Sequence, residues 1–444
     1  MEKTIIENGI VLTMNPKRQI IKDGAVVVEG SEIVDVGDRV AMRKHKADVT
    51  IDAKNKIVMP GLVNLHFHPG TMIRGVGEHM GLEQWAQEIL YPYLAAMEPR
   101  DAYLSAALAY SEALLTGTTT VNLMYAFINE MARAAEDIGI RAAVSSEAAD
   151  LVEGQPTLAE NEKAFKEIKS PSGRVKVWFG VEWLPICSDE FLIKARELAD
   201  KYKTGIHIHL NESRGEVEAC VGKFGKRPTV RAKEFGNVGP DVVAAHCVWL
   251  SDEEKKIFAE TGTHISHNPV SNAKLGNGLS PVPELMKMGV NVGLGTDDSA
   301  CNDSFQMFET MKYASIAQKA KLLDAAQMPA LTVMEMATLN GAKALGLGDQ
   351  IGSIEPGRKA DIILIDLNVP NLRPIHFGEY SNMYQNLVYS SPGNAVDTVL
   401  VNGDVVVENG KLKTMNLEEI IEEHGRRSAD LLERRKKYIR PLPI

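Results

Sequence analysis

The stretch Met59-Pro60-Gly61-Leu62-Val63-Asn64-Leu65-His66-Phe67-His68-Pro69 decides how the rest of the chain is read, because an apolar run ends there in two histidines separated by one residue. Side chains alternate faces along a strand, so His66 and His68 project to one side and Phe67 to the other. Two imidazoles placed that way can converge on one cation. An isolated H-x-H is more often a polar strand end meeting solvent, so the metal reading needs partners elsewhere in the chain.

Outward from this stretch the chain alternates strand and helix patterns. Leu62 to Leu65, Thr118 to Leu123, Ala142 to Ser145, Val175 to Val181, Gly205 to Leu210, Val242 to Ala245, His264 to Ser266 and Val290 to Leu294 read as eight short apolar strands. Helical periodicity over Pro99 to Leu115, Asn129 to Ile138, Asp189 to Lys201, Thr229 to Phe235 and Asp252 to Glu260 fills intervals between them. Eight such units predict an α/β fold, a (β/α)8 TIM barrel whose active site lies at the C-terminal ends of the strands. An open doubly wound sheet is the competing pattern, but no G-x-G-x-x-G follows the first strand.

On either side of this region the texture changes to short β runs broken by Gly, Asn and Asp. Thr4 to Ile6, Ile10 to Met14, Gly24 to Glu29, Glu32 to Val36 and Thr50 to Asp52 lie before it; residues 360 to 366, Val396 to Val401 and Asp404 to Val407 lie after it, with Asn402-Gly403 as a hairpin turn. The prediction is a small composite β-sandwich of antiparallel character built from both termini, residues 1–58 with 352–444, around a catalytic barrel over 59–351. Leu417 to Arg435 reads as a charged, solvated helix closing the chain.

With 444 residues, 44% of them hydrophobic and 24% charged, the composition is that of an ordinary globular chain. A net charge of -10 disfavours nucleic acid and anionic membrane as partners and leaves a small molecule as the expected one. Cys187, Cys220, Cys247 and Cys301 form no C-x-x-C pair, which argues against a zinc knuckle or disulfide framework and fits a reducing cytoplasm. Neither a signal peptide nor a bilayer-length apolar run is evident. The oligomeric state stays open, a homo-oligomer included.

The strand ends carry the chemistry. His66 and His68 follow the first strand, His209 and Glu212 the fifth, His246 the sixth and Asp297-Asp298 the eighth. His66, His68, His209 and Asp297 would offer three neutral nitrogens and one oxygen, a set suited to one divalent metal, Zn or Fe(II), with a position left for water. Glu212 is placed to pass a proton from water to a ring nitrogen, and His246 to hold or deprotonate the attacking water. Asp297 can also accept a proton as the tetrahedral intermediate collapses. Each group alone has a bland explanation, a surface ion pair or a core histidine; together at corresponding strand ends they favour catalysis. His207 shares a face with His209 and supports the ligand shell or fills the interior. His267 and Asn268 are expected to line the cavity, and His264 to be structural. Cys247 and Cys301 are expected to be inert.

The segments Pro60 to His68, Ile206 to Glu212, Ala244 to Val248, Ser266 to Gly278, Gly295 to Asp298 and Ile351 to Ile362 resemble the amidohydrolase superfamily, in particular the aminohydrolase and chlorohydrolase branch that contains methylthioadenosine/S-adenosylhomocysteine deaminases and s-triazine hydrolases. The resemblance implies a mononuclear centre and hydrolytic displacement of ammonia, or of another leaving group such as halide, from a carbon of an aromatic N-heterocycle. In adenosine-type deaminases a glutamate, an arginine and a histidine contact the nucleoside; the matching places here hold Leu94, Ser146 and Glu182. Those departures, and the Tyr91 to Ala96 and Gly295 to Ser304 stretches, favour a compact triazine, pyrimidine or pterin ring over a nucleoside. Trp85, Trp183 and Met124 would form an apolar ring slot, with Glu182 binding a substrate amine, pairing with Arg74 or bridging a second ion. A binuclear cyclic amidohydrolase and a noncatalytic metal-binding scaffold are the remaining alternatives.

Overall fold

The structure, a computed structural model, describes residues 2–438; Met1 and the last six residues of the 352–444 segment lie outside the described residues. Parallel strands occupy Leu62–His68, Thr118–Tyr125, Arg141–Ser146, Ile206–Leu210, Val242–His246 and His264–His267, with a fourth in two pieces, Val175–Val177 and Phe179–Trp183, and an eighth in two pieces, Val292–Leu294 and Asp297–Asp298. They form two five-stranded parallel sheets.

Each broken strand serves both sheets. The first piece of the fourth pairs with the third strand and its second piece with the fifth. In the eighth, the first piece pairs with the seventh strand and the second with the first. Local hydrogen bonds carry the chain across each break: Trp178 N–H donates to the Val144 carbonyl at 2.8 Å, Phe179 N–H to Gly205 at 3.0 Å, and Gly295 N–H to His267 at 3.0 Å. The first, second, third and fifth to seventh strands are buried along their whole length, which matches near-continuous apolar runs covered on both faces.

Helices between the strands start and stop where the side chains dictate. Ahead of helix Asp252–Thr261, Ser251 Oγ accepts from Glu254 N–H at 3.3 Å and Glu254 returns a carboxylate to Ser251 N–H at 2.8 Å. The helix ends at Gly262, whose φ of 74° is the left-handed cap that a residue with a Cβ adopts at a cost.

Both ends of the chain build one further sheet of nine strands, five from residues 3–60 and four from residues 362–412. Its seam joins Lys56–Pro60 to Ile362–Asp366 antiparallel, with Met59 opposite Ile363. The sheet is mixed rather than antiparallel, because Lys3–Leu12 runs parallel to both Val49–Asp52 and Lys56–Pro60. Strand Lys56–Pro60 also carries this sheet two residues past position 58, directly into the strand that ends in His66 and His68. Arg141 at the start of the third strand donates to both oxygens of Asp361 at 2.7 and 2.9 Å, a buried link between the two parts.

Helix Leu417–Arg435 is docked rather than wholly solvated. Ile420, His424 and Leu431 are buried, His424 Nε2 lies 2.8 Å from Thr71 Oγ1, and Ser428 donates to the Met72 carbonyl at 2.8 Å, so the helix braces the segment that follows His68. No helix among the described residues is long and apolar enough to cross a membrane.

Candidate metal centre and active site

The strand alternation places His66 and His68 on one face, and the fifth strand brings His209 to them. Nε2 of His66 lies 3.0 Å from Nε2 of His68, which lies 3.3 Å from Nε2 of His209. Asp297 Oδ1 approaches His66 Nε2 at 3.3 Å and His68 Nε2 at 3.7 Å. The opposite ring nitrogens are engaged: His68 Nδ1 lies 2.5 Å from the Met124 carbonyl and His209 Nδ1 2.7 Å from the Glu182 carbonyl. Carbonyls only accept, so the network assigns the protons to Nδ1 and leaves the Nε2 lone pairs of both rings pointing inward. His66 Nδ1 lies 2.9 Å from His207 Nε2 and is turned outward in the same way.

Inward-facing lone pairs beside a carboxylate repel one another unless a cation sits among them, so the donor set fits a divalent ion. His66, His68 and Asp297 form one compact ligand group, and His66, His209 and His246 another. Burial, and then the charge of His68, push His66 well below its usual pKa, while burial lowers His68 to about 4, keeping both rings in the neutral form that binds metal. His209 shows the negative field of the site: burial would lower it, but Glu182, Glu212 and Glu147 raise it to about 10, so a divalent ion would bind its Nε2 by displacing the proton this field holds there. Burial works to raise Asp297 too, and His66, His246 and His68 outweigh it, holding the carboxyl well below its usual range.

Several backbone positions aim these groups. His246 and Asp297 have φ of 72° and 69°, left-handed conformations that turn the chain at the strand ends. Asn64 ties the first strand to the eighth, donating to Thr296 Oγ1 at 2.7 Å and accepting from Thr296 N–H at 3.1 Å. A Cβ on Gly295 would lie 2.4 Å from Asn268 Oδ1 and 2.8 Å from His66 Cβ, so only glycine lets the eighth strand pass this close.

Beside the ligand group, Glu212 is buried, accepts from Asn277 Nδ2 at 3.1 Å and lies 3.6 Å from His246 Nε2. Burial, then the charge of Asp297, hold its carboxyl well above the usual range. His246 Nδ1 lies 2.9 Å from Asn272 Oδ1, which leaves Nε2 as the acceptor, buried and with no hydrogen-bond partner among the described residues. Burial lowers this ring to about 4.

A cavity of about 270 Å³ opens over these groups, and its wall includes His68, His209, Glu212, His246 and Asp297 together with Trp85, Tyr91, Glu147, Glu182, Trp183 and Asp298. Trp85, Glu182 and Trp183 thus line the cavity beside the ligand group. His267 and Asn268 are not on this wall: Asn268 lies behind His246, 3.3 Å from its Nδ1, and His267 is enclosed with neither ring nitrogen hydrogen-bonded among the described residues. Met124 is likewise off the wall, its carbonyl engaged by His68, and Leu94 and Ser146 line a separate groove. Arg74 pairs with Glu112 at 2.6 Å rather than with Glu182. Burial pushes the Cys247 and Cys301 thiols well up, and neither joins a ligand group. Glu147 and Asn272 join the site beyond the residues that the sequence picks out; Glu147 directly follows the third strand, the position at which strand ends carry such groups.

A fold of two parallel sheets whose strand ends gather histidines and acidic groups around one ion-sized space defines a hydrolytic metalloenzyme. The chain belongs to the amidohydrolase family, which residues 57–406 match. It is 38% identical over 439 residues to a 5'-deoxyadenosine deaminase of Methanosarcina mazei, covering 98% of this chain and 99% of that one. With a 5-methylthioadenosine/S-adenosylhomocysteine deaminase of Thermoanaerobacter pseudethanolicus it shares 36% identity, covering 97% and 99%. Among solved structures, an adenosine deaminase of Xanthomonas campestris with bound zinc superposes at a TM-score of 0.91, with 30% identity and 98% of both chains covered.

Proposed function

We propose that this protein is a metal-dependent aminohydrolase that removes ammonia from a carbon of an amino-substituted aromatic N-heterocycle. The observation that carries the reading is Glu212 beside His246 at the edge of the His66, His68, His209 and Asp297 group, on the wall of one cavity. In this reading the two parallel sheets make a closed (β/α)8 barrel, residues 59–351, and the nine-stranded sheet is a composite sandwich from both termini. The zinc in the Xanthomonas campestris structure and the imidazole-rich donor set favour zinc, and the four free cysteines fit a cytoplasmic setting.

His66, His68, His209 and Asp297 would hold the ion, which would supply hydroxide at neutral pH by acidifying water. Glu212, protonated in its buried position, donates to the ring nitrogen next to the carbon attacked, and so draws electron density from that carbon. His246, oriented through Asn272, offers Nε2 to the attacking water, takes the first proton the water loses and returns it to Glu212, 3.6 Å away, replacing the one given to the ring. Asp297 accepts the water's second proton as the tetrahedral carbon collapses, and that proton leaves with ammonia. Trp85 and Trp183 hold the ring between apolar faces.

The cavity wall favours a compact ring, a triazine, pyrimidine or pterin, since Leu94 and Ser146 lie outside it and no lysine or arginine lines it among the described residues. A second reading, a 5'-modified adenosine, is favoured by the names of the relatives that match nearly the whole chain. An ammonia-release screen of the zinc-loaded protein against aminotriazines, aminopyrimidines, pterins, purines and 5'-modified adenosines decides between them. Release from compact rings supports the first reading, release confined to adenosines transfers the assignment to the second, and release from none overturns both.

A further inference from the structure

Two carboxylates on the cavity wall are not used by the chemistry above. Glu147, after the third strand, and Glu182, on the second piece of the fourth, are 3% and 7% exposed. Their backbones are neighbours, because Glu182 N–H donates to the Ala148 carbonyl at 3.0 Å. Oε2 of each is buried and has no hydrogen-bond partner among the described residues.

Each carboxyl group borders one metal-binding histidine without taking its ring proton outright. Glu147 Oε1 is 3.5 Å from His68 Nδ1 and Glu182 Oε2 is 3.2 Å from His209 Nδ1, but those ring protons already go to the Met124 and Glu182 carbonyls at 2.5 and 2.7 Å. No lysine or arginine lines the cavity among the described residues to donate to them. Two buried acceptors left open on a ligand-sized space are costly unless something donates to them.

We propose that Glu147 and Glu182 form a paired acceptor that selects rings carrying a further N–H donor, an amino group or an amidine-like N–C–N edge, besides the amino group that leaves. This rests on the aminohydrolase reading and narrows its substrate class to di- and polyamino heterocycles. A ring with methoxy in place of that second amino group has no N–H to give to the open oxygens of Glu147 and Glu182. Sites built to receive an N–H reject such analogues far more strongly than apolar pockets reject a missing methylene.

The test uses the zinc-loaded full chain and two matched pairs of probes: 2,4-diaminopyrimidine against 4-amino-2-methoxypyrimidine, and 2,6-diaminopurine against 6-amino-2-methoxypurine. Equilibrium binding is measured by calorimetry for all four, and kcat/KM for those turned over, with zinc content checked in each sample. The expected result is a preference of at least about 100-fold for the diamino member in whichever ring fits, expressed in Kd and KM. E147Q and E182Q, which keep shape but present an N–H, should each shrink that ratio at least tenfold. A wild-type ratio near one, or an undiminished ratio in both variants at full zinc content, overturns the inference. Tight, selective binding without ammonia release would leave the paired acceptor standing and remove the deaminase reading instead.

Discussion

His66 Nδ1 and His207 Nε2 lie 2.9 Å apart between two fully buried rings, so a residue two positions before one metal-ligand candidate orients another from a distant strand. If His66 presents Nε2 to the ion, its Nδ1–H must be donated, and His207 is the acceptor that fixes this tautomer. H207F, which keeps a planar ring but no acceptor, should weaken zinc affinity about 10- to 100-fold in a chelator-competition titration, as loss of such outer partners does. Unchanged affinity would show that His207 only fills space.

Glu212 groups with His246 and Asp297 but not with His66, His68 or His209, so its loss leaves the three imidazole ligands in place and its chemistry can be separated from metal retention. E212Q should retain one zinc per chain by elemental analysis and lose at least about two orders of magnitude in kcat. Near-wild-type turnover at full occupancy would remove Glu212 from the proton path.

Arg141 and Asp361 are joined by two short hydrogen bonds, with side chains 7% and 2% exposed, and Asp361 also accepts from Asn402 N–H at 2.7 Å. Truncating one partner leaves a buried charge alone, so R141A should cost about 3–5 kcal/mol in denaturant unfolding. The double variant R141M/D361L should recover much of that loss; equal loss in both would mean packing, not charge, sets the cost.

His424, on the C-terminal helix, is lowered to about 4 by burial and then by the charge of Arg74. Its folded pKa is below its unfolded value near 6.5, so the unfolded chain binds the proton first, and the stability present above pH 6.5 is lost as pH falls toward 4. Between pH 6.5 and 5 this one group should remove about 2 kcal/mol, and H424Q should flatten the acid side of the stability curve by close to one proton. A curve of unchanged slope in H424Q would assign the acid loss elsewhere.

Much of this architecture can be read from local pattern. The alternation of apolar runs and amphipathic helices predicts each parallel strand, and helix Pro99–Leu115 is found at the bounds its periodicity predicts. Period two in Leu65-His66-Phe67-His68 already commits both imidazoles to one side. The mixed pairing of the terminal sheet escapes such reading, because whether Lys3–Leu12 meets Lys56–Pro60 parallel or antiparallel depends on a long connection rather than a turn. The two broken strands are equally invisible, since residues 175–183 and 292–298 carry no marker for which neighbour each half will pair with.

For the site, residue type and strand-end position named the groups that share the cavity, because donor chemistry and side-chain alternation are properties of the chain itself. Which groups face one another was decided only by tertiary structure. His267 and Asn268 occupy a strand end like the others, yet close packing of the Gly295 backbone places Asn268 behind His246 and off the wall. Glu147 and Glu182 stand 35 positions apart in sequence and become a pair because parallel strands align their ends. Ligand type is written in single residues; distance, burial and unmet hydrogen bonds belong to pairs, and pairs exist only once the chain has packed.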